Sequence, residues 1–137
     1  VQPQQSTSYN DLAGTVRGMH WQSGDDSENK LVRVTRGRVY DVIVDLRVES
    51  PTYKKWFGVE LSAENRKQIY IPKHFAHGFM TLEKDTEVLY QMSSFYEPKS
   101  SCGFLWNDPN IGIEWPDVDI VTISVRDSSF ELFDATL

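Results

Sequence analysis

Residues 39–47 carry the clearest strand pattern in the chain and read Val39-Tyr40-Asp41-Val42-Ile43-Val44-Asp45-Leu46-Arg47. The even-numbered positions are all apolar or aromatic, whereas Asp41, Asp45 and Arg47 place charges at odd-numbered positions. Successive side chains of a strand point to opposite faces, so this period of two predicts a strand with one packed face and one face in water. The chain is therefore expected to contain a sheet that is exposed on one side.

Comparable short segments occur on both sides of this strand, and turns rich in Gly, Pro, Asn, Asp and Ser separate them. Further strands are predicted at residues 15–22, 30–35, 56–61, 68–71, 75–82, 86–95, 104–106 and 111–115. No segment has the period of an amphipathic helix of useful length. About ten short strands predict an all-β fold, an antiparallel sandwich or barrel of which a jelly roll is the favoured type. At most one or two short helical turns are expected.

The chain is expected to form one domain over residues 1–137, because its length and 39% hydrophobic content fit a single core. Residues 1–14 are interpreted as an N-terminal arm and turn, in which residues 1–8 are an edge strand or a free arm. Residues 117–137 are interpreted as a mixed C-terminal tail with room for one short helix.

The composition argues against nucleic-acid and membrane partners and against a membrane-spanning or secreted protein. A net charge of -6 argues against nucleic acid or an anionic membrane as the main partner. No apolar run approaches the ~20 residues of a membrane span. The single cysteine, Cys102, allows no intrachain disulfide, and the first residues lack the pattern of a signal peptide. A cytoplasmic protein without nucleic-acid or membrane partners is therefore predicted.

Metal and nucleophilic chemistry receive little support from the sequence. His74 and His77 are spaced as His-x-x-His, whereas a strand would present two ligands on one face as His-x-His. Cys102 has no histidine within sequence reach, and no Gly-x-Ser-x-Gly or phosphate-binding loop is present. We therefore predict no metal and no cofactor.

Proton transfer is the chemistry that remains, and the candidates are His20, Lys30, His77, Tyr90 and Asp127. Four of these five have a simpler structural interpretation. The histidine at position 20 fits a half-buried side chain bonded within a sheet, Tyr90 a core residue, Lys30 a surface side chain and Asp127 an exposed cap. Pattern alone does not assemble these residues into one site.

Several motifs, in chain order, resemble a known family. They are Arg17-Gly18-Met19-His20-Trp21-Gln22, Ser50-Pro51-Thr52, Phe75-Ala76-His77-Gly78-Phe79, Trp106-Asn107-Asp108-Pro109 and Gly112-Ile113-Glu114-Trp115-Pro116. Together they resemble nucleotide-sugar 3,5-epimerases that act on dTDP-4-dehydro-6-deoxyglucose. The resemblance implies a metal-free cupin-type jelly roll, a homodimer, and a nucleotide-diphosphate keto-sugar as substrate.

The resemblance also implies a reaction. The hydrogens on C3 and C5 are acidic because both carbons flank the C4 ketone, so a base on one face forms an enolate and an acid on the opposite face returns a proton. Matched by position, His20 is the base, Asp127 its carboxylate partner, Tyr90 the acid and Lys30 the residue that stabilises the enolate and contacts substrate. The other substrate-binding residues implied are Arg17, Gln22, His77, Tyr96 and Arg126.

The chain also departs from the family pattern. It resembles a short variant, because members of the family carry a further N-terminal segment that helps to hold the nucleotide and is exchanged between subunits. Ser101 stands where many members have glutamate, and Arg126 stands where lysine is common. Two alternatives therefore stay open, a non-catalytic sugar-binding cupin and a 3,4-ketoisomerase of deoxysugar biosynthesis.

One geometric expectation concerns the first motif. On a regular strand Arg17 and His20 face opposite sides, because their separation is odd. A shared site therefore predicts an irregularity at or near Gly18, where a glycine permits a bulge.

Overall fold

The computed structural model describes residues 4–133, and in that range it contains ten strands and one short helix. The strands are β1 (Gln4–Asn10), β2 (Thr15–Gln22), β3 (Lys30–Arg36), β4 (Arg38–Asp45), β5 (Trp56–Ser62), β6 (Gln68–Ile71), β7 (Phe75–Thr81), β8 (Thr86–Met92), β9 (Ser101–Gly103) and β10 (Thr122–Ile123), and the helix is α1 (Val125–Ser128). Two 3-10 turns lie at Gly24–Asp26 and Pro98–Ser100. No helix in the described range is long and apolar enough to cross a membrane.

The strands form two sheets. One sheet has the order β1-β8-β3-β6, and the other has the order β10-β2-β7-β4-β5, with β9 also paired to β2. Every pair is antiparallel except β10 with β2, which the sequence did not predict. The predicted all-β antiparallel jelly roll with short helical turns is confirmed.

The main core lies between the two sheets. The first sheet contributes Val32, Val34, Ile69, Ile71 and Val88, and the second contributes Val39, Ile43, Leu61 and Phe79. These are the inward-facing side chains expected when two sheets pack face to face. The core fills one part of the space between the sheets, and the candidate site occupies another.

The strand β4 corrects the prediction of a face in water. Asp41 is 0% exposed and Asp45 is 2% exposed, so both aspartates are buried, whereas Arg47 is exposed as predicted. The opposite, apolar face, with Val42 and Val44, belongs to a second buried cluster. The period of two was read correctly, but alternation alone does not reveal that a polar face is buried when its charges have partners inside the fold.

The second cluster explains a further correction. Residues 104–106 and 111–115 are not strands, although both were predicted as strands. Phe104 and Ile111 instead pack against Val42, Val44 and Ala76 on the outer face of the second sheet. Side chains that cover a sheet need apolar character but no ladder of backbone hydrogen bonds, so their composition mimics that of a strand.

The two ends of the described chain differ, because the first is a strand of a sheet and the second contains a short helix. The strand β1 pairs with β8 along its length and forms one edge of its sheet, as an edge strand was one of the two expectations for the arm. The helix α1 is the single short helix in the described part of the tail. Residues 1–3 of the predicted arm and residues 134–137 of the predicted tail lie outside the described range.

Candidate active site

A cavity of about 410 Å³ lies against β1, β2, β3, β7 and β8, and therefore has walls from both sheets. Eight of the nine predicted site residues line it: Arg17, His20, Gln22, Lys30, His77, Tyr90, Tyr96 and Arg126. The ninth, Asp127, is hydrogen-bonded to His20. Asp127 also accepts a hydrogen bond from Gly18, which lies 109 positions away in the sequence, so distant parts of the chain meet at one place.

The predicted irregularity in β2 is confirmed. The pairing of β2 with β7 shifts register between Arg17 and His20, where Gly18 has φ +126° and the Gly18–Met19 peptide bond is cis. A Cβ atom at Gly18 would lie 2.6 Å from the Cα of Gly78, so only glycine fits this crossing of the two strands. Because of the shift, Arg17 and His20 both line the cavity.

His20 and Asp127 form a hydrogen-bonded pair at the cavity wall. His20 Nε2 lies 2.6 Å from Asp127 Oδ1, and the backbone N–H of Gly18 donates to Asp127 Oδ2 at 3.2 Å. The His20 side chain is 33% exposed and the Asp127 side chain 5%. Ser124 caps α1 by accepting a hydrogen bond from the backbone N–H of Asp127, which fixes the carboxylate behind the imidazole.

The charge of Asp127 is favoured by its surroundings. Burial by itself raises the pKa of this carboxyl, but the hydrogen bond and charge of His20, the Gly18 N–H and the charge of Arg126 together lower it. Asp127 is therefore ionised at neutral pH. A carboxylate on Nε2 orients the ring and stabilises the imidazolium form, and it leaves Nδ1 without a partner among the described residues.

A second histidine–aspartate pair lies deeper in the fold. His77 Nε2 is 2.7 Å from Asp41 Oδ1, and the two side chains are only 5% and 0% exposed. The ring of Tyr90 meets the His77 ring edge-on, with 6.1 Å between centroids. Sequence reasoning missed Asp41, which it assigned to a face in water. The signal was a carboxylate in the middle of an otherwise apolar segment, which calls for a buried partner.

Tyr90 stands on β8, in the sheet opposite the one that carries His20. Burial raises the pKa of its hydroxyl, and the negative charge of Asp41 raises it further, against smaller opposing effects of Arg17 and Ser8. The phenol is therefore protonated at neutral pH and available as a proton donor. The cavity thus has a histidine from one sheet and a phenol from the other.

Lys30 begins β3 and places its ammonium in the cavity wall beside an acidic residue that sequence reasoning missed. Its Nζ lies 3.5 Å from Glu28 Oε1, and the two side chains are 15% and 9% exposed. The pKa of Glu28 is raised overall, because the effect of burial exceeds the lowering by the charge and hydrogen bond of Lys30. Glu28 lies in the segment interpreted as a loop by composition, and no pattern there marked it.

Two guanidinium groups line the same cavity. The Nε of Arg17 donates to Asn10 Oδ1 at 2.6 Å, and the Nη2 of Arg126 donates to Ser101 Oγ at 2.6 Å. The Arg126 guanidinium also lies 5.5 Å from the centre of the Phe130 ring. Each arginine keeps further N–H donors for a ligand, and such donors suit a diphosphate.

Gln22 and Tyr96 occupy the cavity wall in different ways. The side-chain amide of Gln22 is committed to the backbone: Nε2 donates to the carbonyls of Asp26 and Phe95, and Oε1 accepts from Glu97 N. Tyr96 is 55% exposed, so its ring lies at the rim. Gln22 therefore shapes the wall by holding two loops together, while Tyr96 is free to contact a ligand.

No three His, Cys, Asp or Glu side chains between residues 4 and 133 come together as a cation site. The histidines in the cavity wall are each paired with one aspartate. The cavity combines an imidazole and a phenol, groups that can transfer protons, with guanidinium groups that can bind anions. Those two capacities are what a ketone-flanking C–H and a diphosphate require.

Comparisons with known proteins agree with this arrangement. The sequence profile of the family described as dTDP-4-dehydrorhamnose 3,5-epimerase matches residues 1–135. The dTDP-4-dehydrorhamnose 3,5-epimerase of Salmonella typhimurium is 48% identical over 122 residues, which are 89% of this chain and 67% of that protein. The chain spans about two thirds of the length of the curated relatives it matches first.

Solved structures show the same similarity in three dimensions. The Bacillus anthracis dTDP-4-dehydrorhamnose 3,5-epimerase with bound TDP and PPi superimposes with a TM-score of 0.93 at 43% identity, covering 97% of this chain and 75% of that one. The Legionella pneumophila dTDP-6-deoxy-D-glucose-3,5-epimerase in complex with dTDP-4-keto-L-rhamnose gives 0.93 at 39% identity, covering 100% and 71%. The chain belongs to the dTDP-4-dehydrorhamnose 3,5-epimerase family.

Proposed function

We propose that this chain inverts C3, C5 or both centres of a dTDP-4-keto-6-deoxyhexose. The observation that carries the proposal is the placement of His20 and Tyr90 on opposite sheets around one cavity. Inversion requires a proton to leave one face of a carbon and another to arrive at the opposite face. A single wall with one acid–base group would only exchange the proton with retention.

In the proposed reaction His20 removes the proton from C3 or C5, and the electrons of the C–H bond move onto the C4 oxygen to give an enolate. The Tyr90 hydroxyl then donates a proton to the opposite face of the same carbon, and the C4 ketone re-forms. His20 has gained a proton and Tyr90 has lost one, so exchange with water restores both. Asp127 stabilises the imidazolium that forms on His20.

The cationic groups have separate roles in this proposal. Lys30 stabilises the negative charge that develops on the C4 oxygen, because an ammonium in a partly buried wall acts strongly on a nearby oxyanion. Arg17 and Arg126 hold the diphosphate, and Tyr96 contacts the nucleotide or sugar at the rim. His77 contacts substrate beside Tyr90, and Gln22 holds the loops that form the wall. No metal or cofactor takes part.

The ligands of the relatives support a nucleotide-sugar substrate, since one relative carries TDP and pyrophosphate and another carries dTDP-4-keto-L-rhamnose. We further propose a homodimer in the cytoplasm. The strands β5 and β6 end their sheets in the described structure, and a second subunit would cover such edges. Light scattering of the purified protein measures its mass directly, and a monomeric mass would contradict the dimer.

Incubation of the protein with dTDP-4-keto-6-deoxyglucose in deuterated water tests the activity. We expect deuterium to appear at C3, C5 or both, with inversion at each labelled centre. Nuclear magnetic resonance detects both the label and the inversion. A sugar-binding cupin without activity would bind the compound and incorporate no deuterium. A 3,4-ketoisomerase would move the carbonyl to C3, which the carbon spectrum identifies. Either result would replace the epimerase proposal.

Substitution of the proposed acid separates exchange from inversion. In Tyr90→Phe we expect His20 still to remove and return protons on its own face, so deuterium enters the starting sugar while the inverted product forms at least about 100-fold more slowly. Tyr70→Phe is the matched control, because Tyr70 is 60% exposed and does not line the cavity. Equal losses of exchange and inversion in Tyr90→Phe would argue against a separate acid.

A further inference from the structure

Glu28 holds one carboxylate oxygen whose hydrogen bonding the fold does not complete. Its Oε1 faces Lys30 Nζ at 3.5 Å, while Oε2 is buried and has no hydrogen-bond partner among residues 4–133. The side chain is 9% exposed and belongs to the cavity wall. A buried acceptor without a donor is unfavourable, and in native structures such a group calls for an explanation.

Among the described residues, one other buried carboxylate oxygen lacks a hydrogen-bond partner, but its position relative to the cavity differs. Asp41 Oδ2 also lacks a partner, but Asp41 is 0% exposed and lies behind His77, outside the cavity lining. Glu28 lines the cavity itself. Oε2 itself is buried, but the terminal torsion of a glutamate is broad, so a turn of the carboxylate would bring Oε2 to the cavity while the contact with Lys30 is kept. A ligand in the cavity is therefore in a position to supply the missing donor.

The chemistry of the substrate narrows the identity of that donor. The following step rests on the proposed function, because it takes Lys30 as the group at the C4 oxygen. Next to C4, the sugar has a hydroxyl on C3, whereas C5 bears a methyl group and the ring oxygen. If Lys30 contacts the C4 oxygen, the Glu28 carboxylate beside Lys30 lies close to the atoms bonded to C4. The hydroxyl on C3 is the O–H group of the sugar nearest to that position.

We propose that Glu28 accepts a hydrogen bond from the C3 hydroxyl of the sugar and so selects substrates that carry it. This contact recognises the hydroxyl on C3, which is one of the two carbons at which inversion is proposed. It also lets the Glu28–Lys30 pair act jointly on the sugar, since the ammonium contacts the oxygen on C4 and the carboxylate contacts the oxygen on C3. A carboxylate acceptor suits a hydroxyl because charge-assisted hydrogen bonds are the stronger ones.

The simpler interpretation is that Glu28 serves Lys30 alone, as an ion-pair partner that holds the ammonium in place. That role would make every ligand equally dependent on Glu28, whether or not it has a C3 hydroxyl. It also leaves Oε2 unexplained, since a single contact at 3.5 Å satisfies one oxygen. The two roles therefore differ in a measurable quantity, the preference for a C3 hydroxyl.

Calorimetric binding of two unreactive ligands, dTDP-6-deoxyglucose and its 3-deoxy analogue, measures this preference. We expect the unmodified protein to bind the 3-hydroxylated ligand about ten- to hundredfold more tightly, as for a hydrogen bond to a charged acceptor. Glu28→Ala should bind both ligands with the affinity of the 3-deoxy compound. Glu64→Ala, at an exposed turn outside the cavity, is the matched control and should keep the full preference.

Other outcomes overturn the assignment. They are an equal loss of affinity for both ligands in Glu28→Ala, an unchanged preference in that variant, or no preference in the unmodified protein. Glu28→Gln keeps the size of the side chain and serves if the alanine variant does not fold; its neutral acceptor should leave a preference of about three- to tenfold. Neither ligand is a ketone, so this result stands apart from the deuterium experiment, whose failure would contradict the epimerase reaction alone.

Discussion

Two histidine–aspartate pairs of nearly equal geometry lie side by side in this protein. His20 and His77 are register partners on β2 and β7, and each presents Nε2 to an aspartate, at 2.6 Å and 2.7 Å. Their surroundings differ. The first histidine is 33% exposed at the cavity, whereas the second is 5% exposed and its aspartate is fully buried.

The difference shows that access, more than pairing, separates the roles of the two pairs. An imidazole that reaches a cavity can take a proton from a ligand and pass it to water. His77 also lines the cavity, but at 5% exposure it is largely enclosed with its carboxylate and exchanges protons less readily. Its pair must stay intact, because an unpaired buried charge is strongly unfavourable. We therefore interpret the pair at position 20 as the proton-transfer pair and the pair at position 77 as one that contacts substrate without transferring its protons.

Substitution of the two histidines gives the largest expected contrast. His20→Asn should lower the rate of deuterium incorporation by about 10³-fold, because it removes the proposed base. His77→Asn keeps that base, so we expect a loss of about tenfold, mainly in KM. Initial rates of exchange in deuterated water measure both. Comparable losses in the two variants would contradict the division of roles.

Substitution of the two aspartates should affect stability in the opposite order, with the larger loss in the His77–Asp41 pair. Asp41→Ala leaves a histidine that is only 5% exposed without its partner and should lower the free energy of unfolding by about 3 kcal/mol. Asp127→Ala leaves a histidine that still contacts solvent, so a loss of about 1 kcal/mol is expected. Urea unfolding of both variants provides the values. A larger loss for Asp127→Ala would place the structural pair at the cavity instead.

The smallest expected effect concerns pH. The pKa of Asp127 is lowered in the fold, so its ionised form stabilises the protein fully above the ordinary value of 3.8 and stops doing so as the pH falls through the folded value. The difference in unfolding free energy between the unmodified protein and Asp127→Asn should therefore shrink as the pH falls below the ordinary value of 3.8. Urea unfolding at several pH values measures this difference. A difference that grows as the pH falls would contradict the prediction.

The fold class could be predicted from the sequence because the signals of a strand, alternation and flanking turn residues, are local. Alternation and turn residues located β2 and β6 at their observed bounds. The same local signal failed for residues 104–106 and 111–115, where apolar side chains cover a sheet and do not extend it. Whether a segment joins a ladder depends on which backbone groups meet it, and that information is not local.

The candidate site shows the same limit. Motif resemblance named His20, Tyr90 and the residues around them, since short motifs preserve chemistry together with order. It assigned no role to Glu28 or to the buried partner Asp41, because the environment of a carboxylate depends on distant strands. Burial of a charge becomes visible only when the neighbours that enclose it are known. Those two residues therefore required coordinates.

The position of Asp127 in the chain has a consequence for biosynthesis. Its carboxylate comes from α1, 107 residues after His20, whereas Asp41 lies only 36 residues from His77. A nascent chain on the ribosome therefore has the residues of the buried pair long before it has those of the exposed one. The growing polypeptide cannot complete its proposed proton-transfer pair until Asp127 has been added, so shorter, partly synthesised chains lack that pair.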